Sequence, residues 1–238
     1  MHETLKKRQP RRGLLCLSIA EDEEAQILFQ AQQLVHLADI VEIRLDSMIE
    51  PDIGNLVGKL GKPILVTNRA KWEGGAWAGS EEQRIAVLLQ AVAAGARYVD
   101  IELRTERGLR DKIIQAAYRH EAWPLVSWHN FSETPQDAQL SAIYEEMKTS
   151  GANSGKIVTT AQAPNDAVRL LALLERVDKK FPLSTFAMGE AGAVTRFACL
   201  YLGGHISYAS LGGEKNTAPG QIGITRLRNL CSLFEERS

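Results

Sequence analysis

The 238-residue sequence lacks any long hydrophobic run, and no apolar segment approaches the ~20 residues that a membrane span requires. It also lacks an excess of charge, since 28 Lys and Arg against 29 Asp and Glu give a formal net charge of −1. No global basic field therefore indicates nucleic acid as a partner. With 45% hydrophobic and 24% charged residues, the composition is typical of a soluble globular protein of one large domain.

Cysteine is scarce as well. Cys16, Cys199 and Cys231 are odd in number, widely spaced and embedded in apolar patterns. We therefore predict buried thiols in a reducing cytoplasm rather than disulfides. Basic residues precede the first apolar segment, but an acidic run at 21–24 follows it without a small-residue cleavage site, so export is not expected. Residues 1–12 are interpreted as a flexible basic tail.

Short apolar segments alternate with amphipathic ones along the chain. The predicted strands cover 14–19, 40–46, 63–67, 98–103, 124–129, 151–160, 184–188 and 206–211. The predicted helices cover 21–37, 51–60, 84–94, 105–120, 135–148, 164–180, a segment ending at 202, and one starting near 222. Such alternation is typical of parallel βαβ units, so we predict one α/β domain over 1–238, a (β/α)8 TIM barrel. An open doubly wound sheet is the alternative, but no Gly-x-Gly-x-x-Gly follows the first strand.

One lysine, Lys156, lies inside the sixth predicted strand, next to the β-branched run 157–160. An unpaired ammonium is costly to bury, so its presence there needs an explanation. The side chain could form an internal salt bridge, or it could face solvent from an edge strand. It could also be an amine that attacks a carbonyl and forms a Schiff base. This stretch alone leaves the three alternatives open.

Polar residues gather where the predicted strands end, which is where TIM barrels have their active sites. They are Glu42, Arg44 and Asp46 on the second strand, Arg69 and Glu73 after the third, Asp100 and Glu102 on the fourth, His129 at the end of the fifth, and Arg196 at the start of the helix after the seventh. The first trio could be a half-exposed strand, but charges inside a barrel must pair or bind something. We interpret Asp100 and Glu102 as partners of inward Arg or Lys groups.

His129 could be a satisfied core histidine. Beside the lysine strand it could instead be a general acid and base, because its unperturbed pKa of ~6.5 lies near neutral pH. The other four histidines show no spacing that converges with it on a metal. If Arg44, Arg69 and Arg196 point into one barrel mouth, their field favours a neutral amine and attracts an anion. The predicted ligand is therefore an anion that carries a carbonyl group.

Six motifs occur in register along the chain. They are Glu42-x-Arg44-x-Asp46, Thr67-x-Arg69-x-x-x-Glu73-Gly-Gly75, Ser127-x-His129-x-Phe131-x-x-Thr134-Pro135, Gly151-Ala-x-x-x-Lys156, Met188-Gly-x-x-Gly192-x-x-x-Arg196 and Ala218-Pro-Gly-Gln221. Together they resemble the type I 3-dehydroquinate dehydratase family over nearly the whole chain after the tail. Thr217, Trp128 and Gly155 stand where serine, tyrosine and a bulkier residue are usual in that family.

The resemblance implies a (β/α)8 lyase that dehydrates 3-dehydroquinate to 3-dehydroshikimate in the shikimate pathway of aromatic amino acid biosynthesis, without metal or cofactor. It implies that Lys156 forms an imine with the C3 ketone. His129 would remove the C2 proton and protonate the departing hydroxyl, and Glu73 would orient His129. The implied substrate-binding residues are Glu42, Arg44, Arg69, Arg196, Thr217, Ala218 and Gln221. A cytoplasmic homodimer is a further expectation, with no nucleic-acid or membrane partner.

Two other classes of protein stay open. One is a Schiff-base aldolase or sugar-phosphate enzyme on the same barrel, with phosphate held by the backbone at 203–204 or 212–213. The other is a catalytically silent barrel that acts as a scaffold. The presence of Arg196 and Gln221 favours a carboxylate substrate, and no reacting residue of the family is missing.

Overall fold

Eight strands alternate with eight helices in the computed structural model, which describes residues 12–48, 52–212 and 220–235. The strands are β1 (Leu14–Ile19), β2 (Ile40–Arg44), β3 (Ile64–Thr67), β4 (Tyr98–Glu102), β5 (Trp123–His129), β6 (Ser154–Thr160), β7 (Leu183–Met188) and β8 (Ile206–Ala209). The helices are α1 (Glu24–Leu34), α2 (Ile53–Leu60), α3 (Glu81–Ala93), α4 (Arg107–Arg119), α5 (Asp137–Lys148), α6 (Pro164–Ala172), α7 (Thr195–Tyr201) and α8 (Ile224–Glu235). This alternation confirms the predicted (β/α)8 barrel.

The strands pair in parallel, in the order β7-β6-β5-β4-β3-β2-β1-β8. Among these described strands, β7 and β8 are the neighbours that share no ladder of paired residues. Two bonds join them instead: His205 N–H donates to the Leu183 carbonyl at 2.9 Å, and Ile206 N–H donates to Ser184 Oγ at 2.9 Å. The barrel is therefore nearly closed, with a seam between β7 and β8.

Alternate side chains of the strands point to opposite faces, as strand geometry requires. Outward side chains pack with the helices in one large apolar core. The inward side chains near the N-terminal ends of the strands belong to a second apolar cluster, and we call them the interior floor. The floor consists of Leu14, Cys16, Ile40, Leu65, Tyr98 and Ile206, and the same cluster continues above it through Val158, Phe186, Met188 and Tyr208. The floor fills the N-terminal end of the barrel with apolar side chains, and the charged inward side chains lie toward the other end.

The second strand ends at Arg44, two residues before its predicted end. Leu45–Ser47 form a short 3-10 helix instead. The cause is Asp46, whose buried carboxylate accepts hydrogen bonds from the backbone N–H groups of Arg69 (3.1 Å) and Ala76 (3.0 Å). Those bonds turn the chain out of the sheet and tie it to the segment after β3.

Three helices differ from the prediction by three residues or more at one end or both. Helix α3 begins three residues early because Ser80 and Gln83 form a capping box. Helix α6 ends at Ala172 and continues only as a 3-10 turn, Leu173–Arg176, so the predicted extension to 180 is wrong. Helix α1 is likewise shorter than predicted, and a 3-10 turn at Val35–Leu37 follows it.

The N-terminal prediction falls largely on residues 1–11, which lie outside the described residues. Arg12, at the end of the predicted tail, is buried and bonds to Asp39 (2.7 Å) and Glu235 (2.9 Å). All three cysteines are buried and free, as predicted. Across the described ranges, no helix combines the length and apolar character that a membrane span needs.

Candidate active site

A cleft lies at the C-terminal ends of the strands, where the prediction placed it. Its lining includes the predicted residues Glu42, Arg44, Arg69, Glu73, His129, Lys156, Arg196 and Gln221. It also includes Gly74, Phe131, Val158, Phe186, Met188 and Tyr208. Thr217 and Ala218 fall outside the described residues. The structure therefore brings together predicted residues from six separate segments of the chain.

Lys156 points inward from the middle of β6 and is only 4% exposed. Its Nζ donates a hydrogen bond to the carboxylate of Asp100 on β4 and lies 4.7 Å from the centroid of the Tyr208 ring. The edge-strand alternative is therefore wrong, and the salt-bridge alternative is right. The same ammonium also lines the cleft, so its pairing does not remove it from reach of a ligand.

Arg69 is held by several carboxylates at once. Its guanidinium donates to Asp100 (2.8 Å), Glu102 (2.9 Å) and Ser127 Oγ (2.7 Å), and it lies 3.7 Å from Glu73. Burial lowers its pKa, but the three carboxylates outweigh burial and hold the pKa above its usual value. The prediction that Asp100 and Glu102 serve as partners of inward cations is confirmed.

Asp100 is the centre of this network because Arg69 and Lys156 share it. Burial alone raises the pKa of an aspartate, but the two cations and the hydrogen bond from Ser127 hold the pKa of Asp100 below its usual range. Glu102 has a second partner in Arg84, whose Nη1 lies 2.7 Å from Glu102 Oε2. Each buried charge of this network, from Arg69 and Asp100 to Arg84, is thus matched by an opposite one, as burial of ions requires.

His129 ends β5, and its Nδ1 lies 2.8 Å from Glu73 Oε2. Burial, reinforced by the charges of Arg69 and Lys156, holds the pKa of His129 well below its usual value. Burial also raises the pKa of Glu73, although Arg69 opposes that shift. The imidazole is therefore neutral at neutral pH, with a carboxyl group fixed on one ring nitrogen. Within the cleft, Phe131 stacks on the imidazole with ring centroids 6.1 Å apart.

Two glycines explain how Glu73 reaches His129. Glu73 ends the 3-10 helix Lys71–Glu73, and Gly74 follows it with φ +77°, a value that favours glycine. A Cβ on Gly74 would lie 2.4 Å from the Phe131 ring, and a Cβ on Gly75 would lie 1.9 Å from the Arg69 carbonyl oxygen. The Glu-Gly-Gly sequence therefore permits a turn that places the carboxylate inside the mouth.

The trio on β2 divides into two parts. Glu42 is buried and accepts hydrogen bonds from Ser18 and from Thr67 Oγ1, the latter at 2.8 Å. Arg44 lines the cleft and forms a two-bond fork with Asp46 at 2.9 and 2.7 Å. Asp46 is not among the described residues that line the cleft, so it positions Arg44 instead.

Arg196 lies in the first turn of α7 and is buried. Burial lowers its pKa to about 10, so the guanidinium stays protonated at neutral pH. Its Cζ lies 4.6 Å from the centroid of Phe186, whose ring is 5.7 Å from that of Tyr208. This cation faces the cleft and can form a two-bond contact with a carboxylate.

The apolar wall of the cleft was missed by the sequence-based prediction. It consists of Val158, Phe186, Met188 and Tyr208. A signal was present, since Val158 lies two residues after Lys156 and therefore shares its inward face. Phe186 and Tyr208 similarly stand in the middle of predicted strands. Whether these two side chains line the cleft or are packed in the interior depends on how far each strand extends beyond the floor, which the sequence does not show.

The phosphate-binding alternative placed one backbone cradle at Gly203 and Gly204. These residues lie between α7 and β8, at the N-terminal end of that strand, and so on the side of the barrel opposite the cleft. Of the second cradle, Gly212 is described and follows β8, whereas Gly213 is outside the described residues. The first half of that alternative is therefore wrong.

Fold and cleft together define a (β/α)8-barrel protein whose cleft contains the amine of Lys156, the His129–Glu73 pair and several arginines. The family model for type I 3-dehydroquinase matches residues 15–238. A 3-dehydroquinate dehydratase from Desulfotalea psychrophila is 40% identical over 92% of this chain and 97% of its own length, and one from Methanocaldococcus jannaschii is 31% identical over 93% and 99%. The crystal structure of 3-dehydroquinate dehydratase from Geobacillus kaustophilus superposes with a TM-score of 0.87 at 28% identity, covering 95% of this chain and 92% of that one. The chain belongs to the type I 3-dehydroquinase family.

Proposed function

We propose that this chain dehydrates 3-dehydroquinate to 3-dehydroshikimate through an imine on Lys156, in the shikimate pathway of aromatic amino acid biosynthesis. The observation that carries the proposal is the convergence in one cleft of the Lys156 amine, the His129 imidazole and the Arg196 guanidinium. The first two are the groups needed for Schiff-base and proton-transfer chemistry. The third is suited to the carboxylate of the substrate.

The Lys156 ammonium gives up one proton, the free amine adds to the substrate ketone, and that proton is returned to the departing hydroxyl, so that water leaves and a protonated imine remains. The imine withdraws electrons more strongly than a ketone does, so it acidifies the neighbouring C–H bond. His129, held neutral by burial, takes that proton on Nε2. The resulting enamine expels the hydroxyl on the next carbon, which leaves as water with the proton returned by His129. Hydrolysis of the imine then releases the enone product and the amine.

The remaining groups support these steps. Glu73 accepts the Nδ1–H of His129, so Nε2 faces the substrate and the imidazolium is stabilised when it forms. Glu42, Arg44 and Arg69 hold the ring hydroxyls and shape the mouth, and Gln221 contributes from the segment before α8. Thr217 and Ala218 are proposed as further substrate contacts from the resemblance alone.

Localisation, cofactor use and partners belong to the same proposal. We propose a cytoplasmic enzyme that needs neither metal nor cofactor, because the protonated imine supplies the electron withdrawal. A homodimer remains a prediction from the family. The partner recognised by the cleft is a small anionic ketone, and neither nucleic acid nor a membrane is expected.

The deciding experiment uses the purified chain and 3-dehydroquinate. Dehydration creates a conjugated enone, so ultraviolet absorbance should rise with time and with enzyme concentration. Borohydride added during turnover should reduce the imine and fix a covalent adduct on the peptide that contains Lys156, detected by mass. An absorbance rise without an adduct would retain the reaction and reject the imine. No absorbance rise would reject the proposed reaction.

A further inference from the structure

One arginine at the rim of the cleft, Arg104, has no part in the mechanism proposed above. It follows β4, and its side chain is 47% exposed. Its Nε lies 4.0 Å from Glu73 Oε1, and its Cζ lies 4.9 Å from the centroid of the Trp128 ring. The guanidinium is therefore placed between an aromatic face and a buried carboxylate.

The two oxygens of Glu73 differ in what surrounds them. Oε2 contacts His129 Nδ1 at 2.8 Å and lies 3.7 Å from Arg69. Oε1 is buried and accepts no hydrogen bond from the described part of the chain. A buried carboxylate oxygen without hydrogen bonds loses its solvation, which disfavours the ionised form. Arg104 is the cation that approaches this oxygen, so its charge acts where hydrogen bonds are missing.

The position of Arg104 is set by residues that are themselves anchored. The preceding Leu103 donates its N–H to the Ser127 carbonyl at 2.7 Å, and the following Thr105 donates to the Glu102 carbonyl at 3.1 Å. Trp128, on the neighbouring strand β5, is only 7% exposed. A buried indole is the strongest of the aromatic partners for a cation. The rim arginine is thus supported on one side and aimed at Glu73 on the other.

We propose that Arg104 is a positioning residue of Glu73 and His129, which we call the proton-transfer pair. Its guanidinium, supported by the Trp128 ring, favours ionised Glu73, so the Nδ1–H of His129 donates to the carboxylate and Nε2 is free to accept a proton. The kinetic consequence of this inference rests on the proposed function. Its electrostatic consequence does not, because it concerns the protein without substrate.

The direction of the effect follows from the charges that face the pair. Those charged groups are Arg44, Arg69, Asp100, Glu102, Arg104 and Lys156. Arg104 lowers the pKa of Glu73, so its removal raises that pKa further. A protonated Glu73–His129 pair cannot accept the substrate proton, and the acid limb of kcat/KM should therefore move to higher pH. For a half-exposed charge at this distance, a shift of a few tenths to about one pH unit is expected.

The kinetic test compares Arg104→Gln with a matched control, Arg107→Gln. Arg107 is an arginine three residues along the chain, 85% exposed, whose ion pair is with Asp111. Both substitutions remove one positive charge, but only Arg104→Gln should shift the acid limb of kcat/KM. Arg104→Lys keeps the charge and should restore most of the wild-type profile. If the Arg104→Gln and Arg107→Gln profiles coincide with the wild-type profile, Arg104 does not act on the pair during turnover.

A second variant tests the aromatic support. Trp128→Phe leaves a weaker aromatic face under Arg104, so it should shift the acid limb in the same direction by less than Arg104→Gln does. In the double variant the shift should equal that of Arg104→Gln alone, because Trp128 acts through Arg104. Fully additive shifts would show that the indole acts independently of the guanidinium, which contradicts this part of the proposal.

The electrostatic test needs no substrate. In protein labelled with 15N-histidine, the ring nitrogens of His129 are assigned by their loss in His129→Ala and titrated by NMR. The inflection of the pair should move to higher pH in Arg104→Gln and stay in place in Arg107→Gln. An unmoved inflection in Arg104→Gln overturns the inference, even if 3-dehydroquinate is turned over. A moved inflection supports it, even if the proposed reaction fails.

Discussion

The interior of the barrel has two halves that differ in what fills them, although the same strands build both. On β2, Ile40 belongs to the apolar floor, and Glu42, two residues later, belongs to the charged mouth. On β4, Tyr98 packs against the floor, and Asp100 follows it in the mouth network. On these two strands the inward residue nearer the start therefore contributes packing, and the one nearer the end contributes charge. Substitutions in the two halves should separate stability from chemistry.

The largest effect on turnover is expected for Lys156→Ala. Loss of the nucleophile removes the covalent route, so kcat should fall by about 10⁴-fold or more, and no borohydride adduct should form. Lys71→Ala is the control, because Lys71 is exposed on the 3-10 helix beside the cleft and should keep both turnover and adduct. An adduct that persists in Lys156→Ala would assign the nucleophile to another lysine.

His129→Ala should separate imine formation from proton transfer. The variant keeps Lys156, so substrate should still be trapped by borohydride on the lysine peptide. Turnover should fall by roughly 10²–10⁴-fold, the range typical of general acid–base groups. Full turnover in this variant would mean that another group takes the proton, and Glu73 would then be the first candidate.

Asp100→Asn removes the carboxylate shared by Arg69 and Lys156. Breaking a buried pair in this way should lower the unfolding free energy by about 3–5 kcal/mol at neutral pH. Because folding depresses the pKa of Asp100, its contribution is present above the unfolded-state value of ~3.9 and is lost as the pH falls below it. Urea unfolding at pH 7 and at pH 3 should show a smaller difference from wild type at pH 3. An equal difference at both pH values would contradict the assignment.

Arg196→Ala tests the carboxylate contact. Charge-assisted hydrogen bonds contribute about 1.5–3 kcal/mol each, so loss of a two-bond contact should raise KM by roughly two orders of magnitude or more. Steady-state kinetics should show a smaller change in kcat than in KM, because Arg196 touches neither the amine nor the imidazole in the proposed mechanism. An unchanged KM would place the substrate carboxylate elsewhere in the cleft.

Leu65→Ala probes the floor with the least expected effect on chemistry. Leu65 is fully buried, so the cavity should lower the unfolding free energy by about 2–5 kcal/mol. The kcat of the folded fraction should stay at the wild-type value, since the mouth rests on separate ion pairs. A parallel loss of kcat at temperatures where the variant is fully folded would show that the two halves are coupled.

Much of this arrangement could be predicted because it depends on local patterns. Strand ends in a parallel barrel converge, so Lys156 and His129 could be placed in one mouth from their positions along the chain. The pairing of Asp100 with an inward cation followed from the cost of burying charge. The contact of Arg104 with Trp128 could not be predicted, because it depends on the path of the chain after β4. The end of β2 was also missed, since Asp46 bonds to backbone groups more than twenty residues away.

The seam between β7 and β8 should affect where the barrel opens locally and exchanges its amide hydrogens. Two bonds join these strands, one of them to a serine hydroxyl, so amides along the seam should exchange with deuterium earlier than those of the fully laddered β5 and β6. Helix α7 connects the two edges of the seam and carries Arg196. A ligand held by both Lys156 on β6 and Arg196 on α7 would link the sheet to the helix that connects the two strands of the seam. Occupancy of the cleft should therefore slow exchange at the seam and raise the melting temperature.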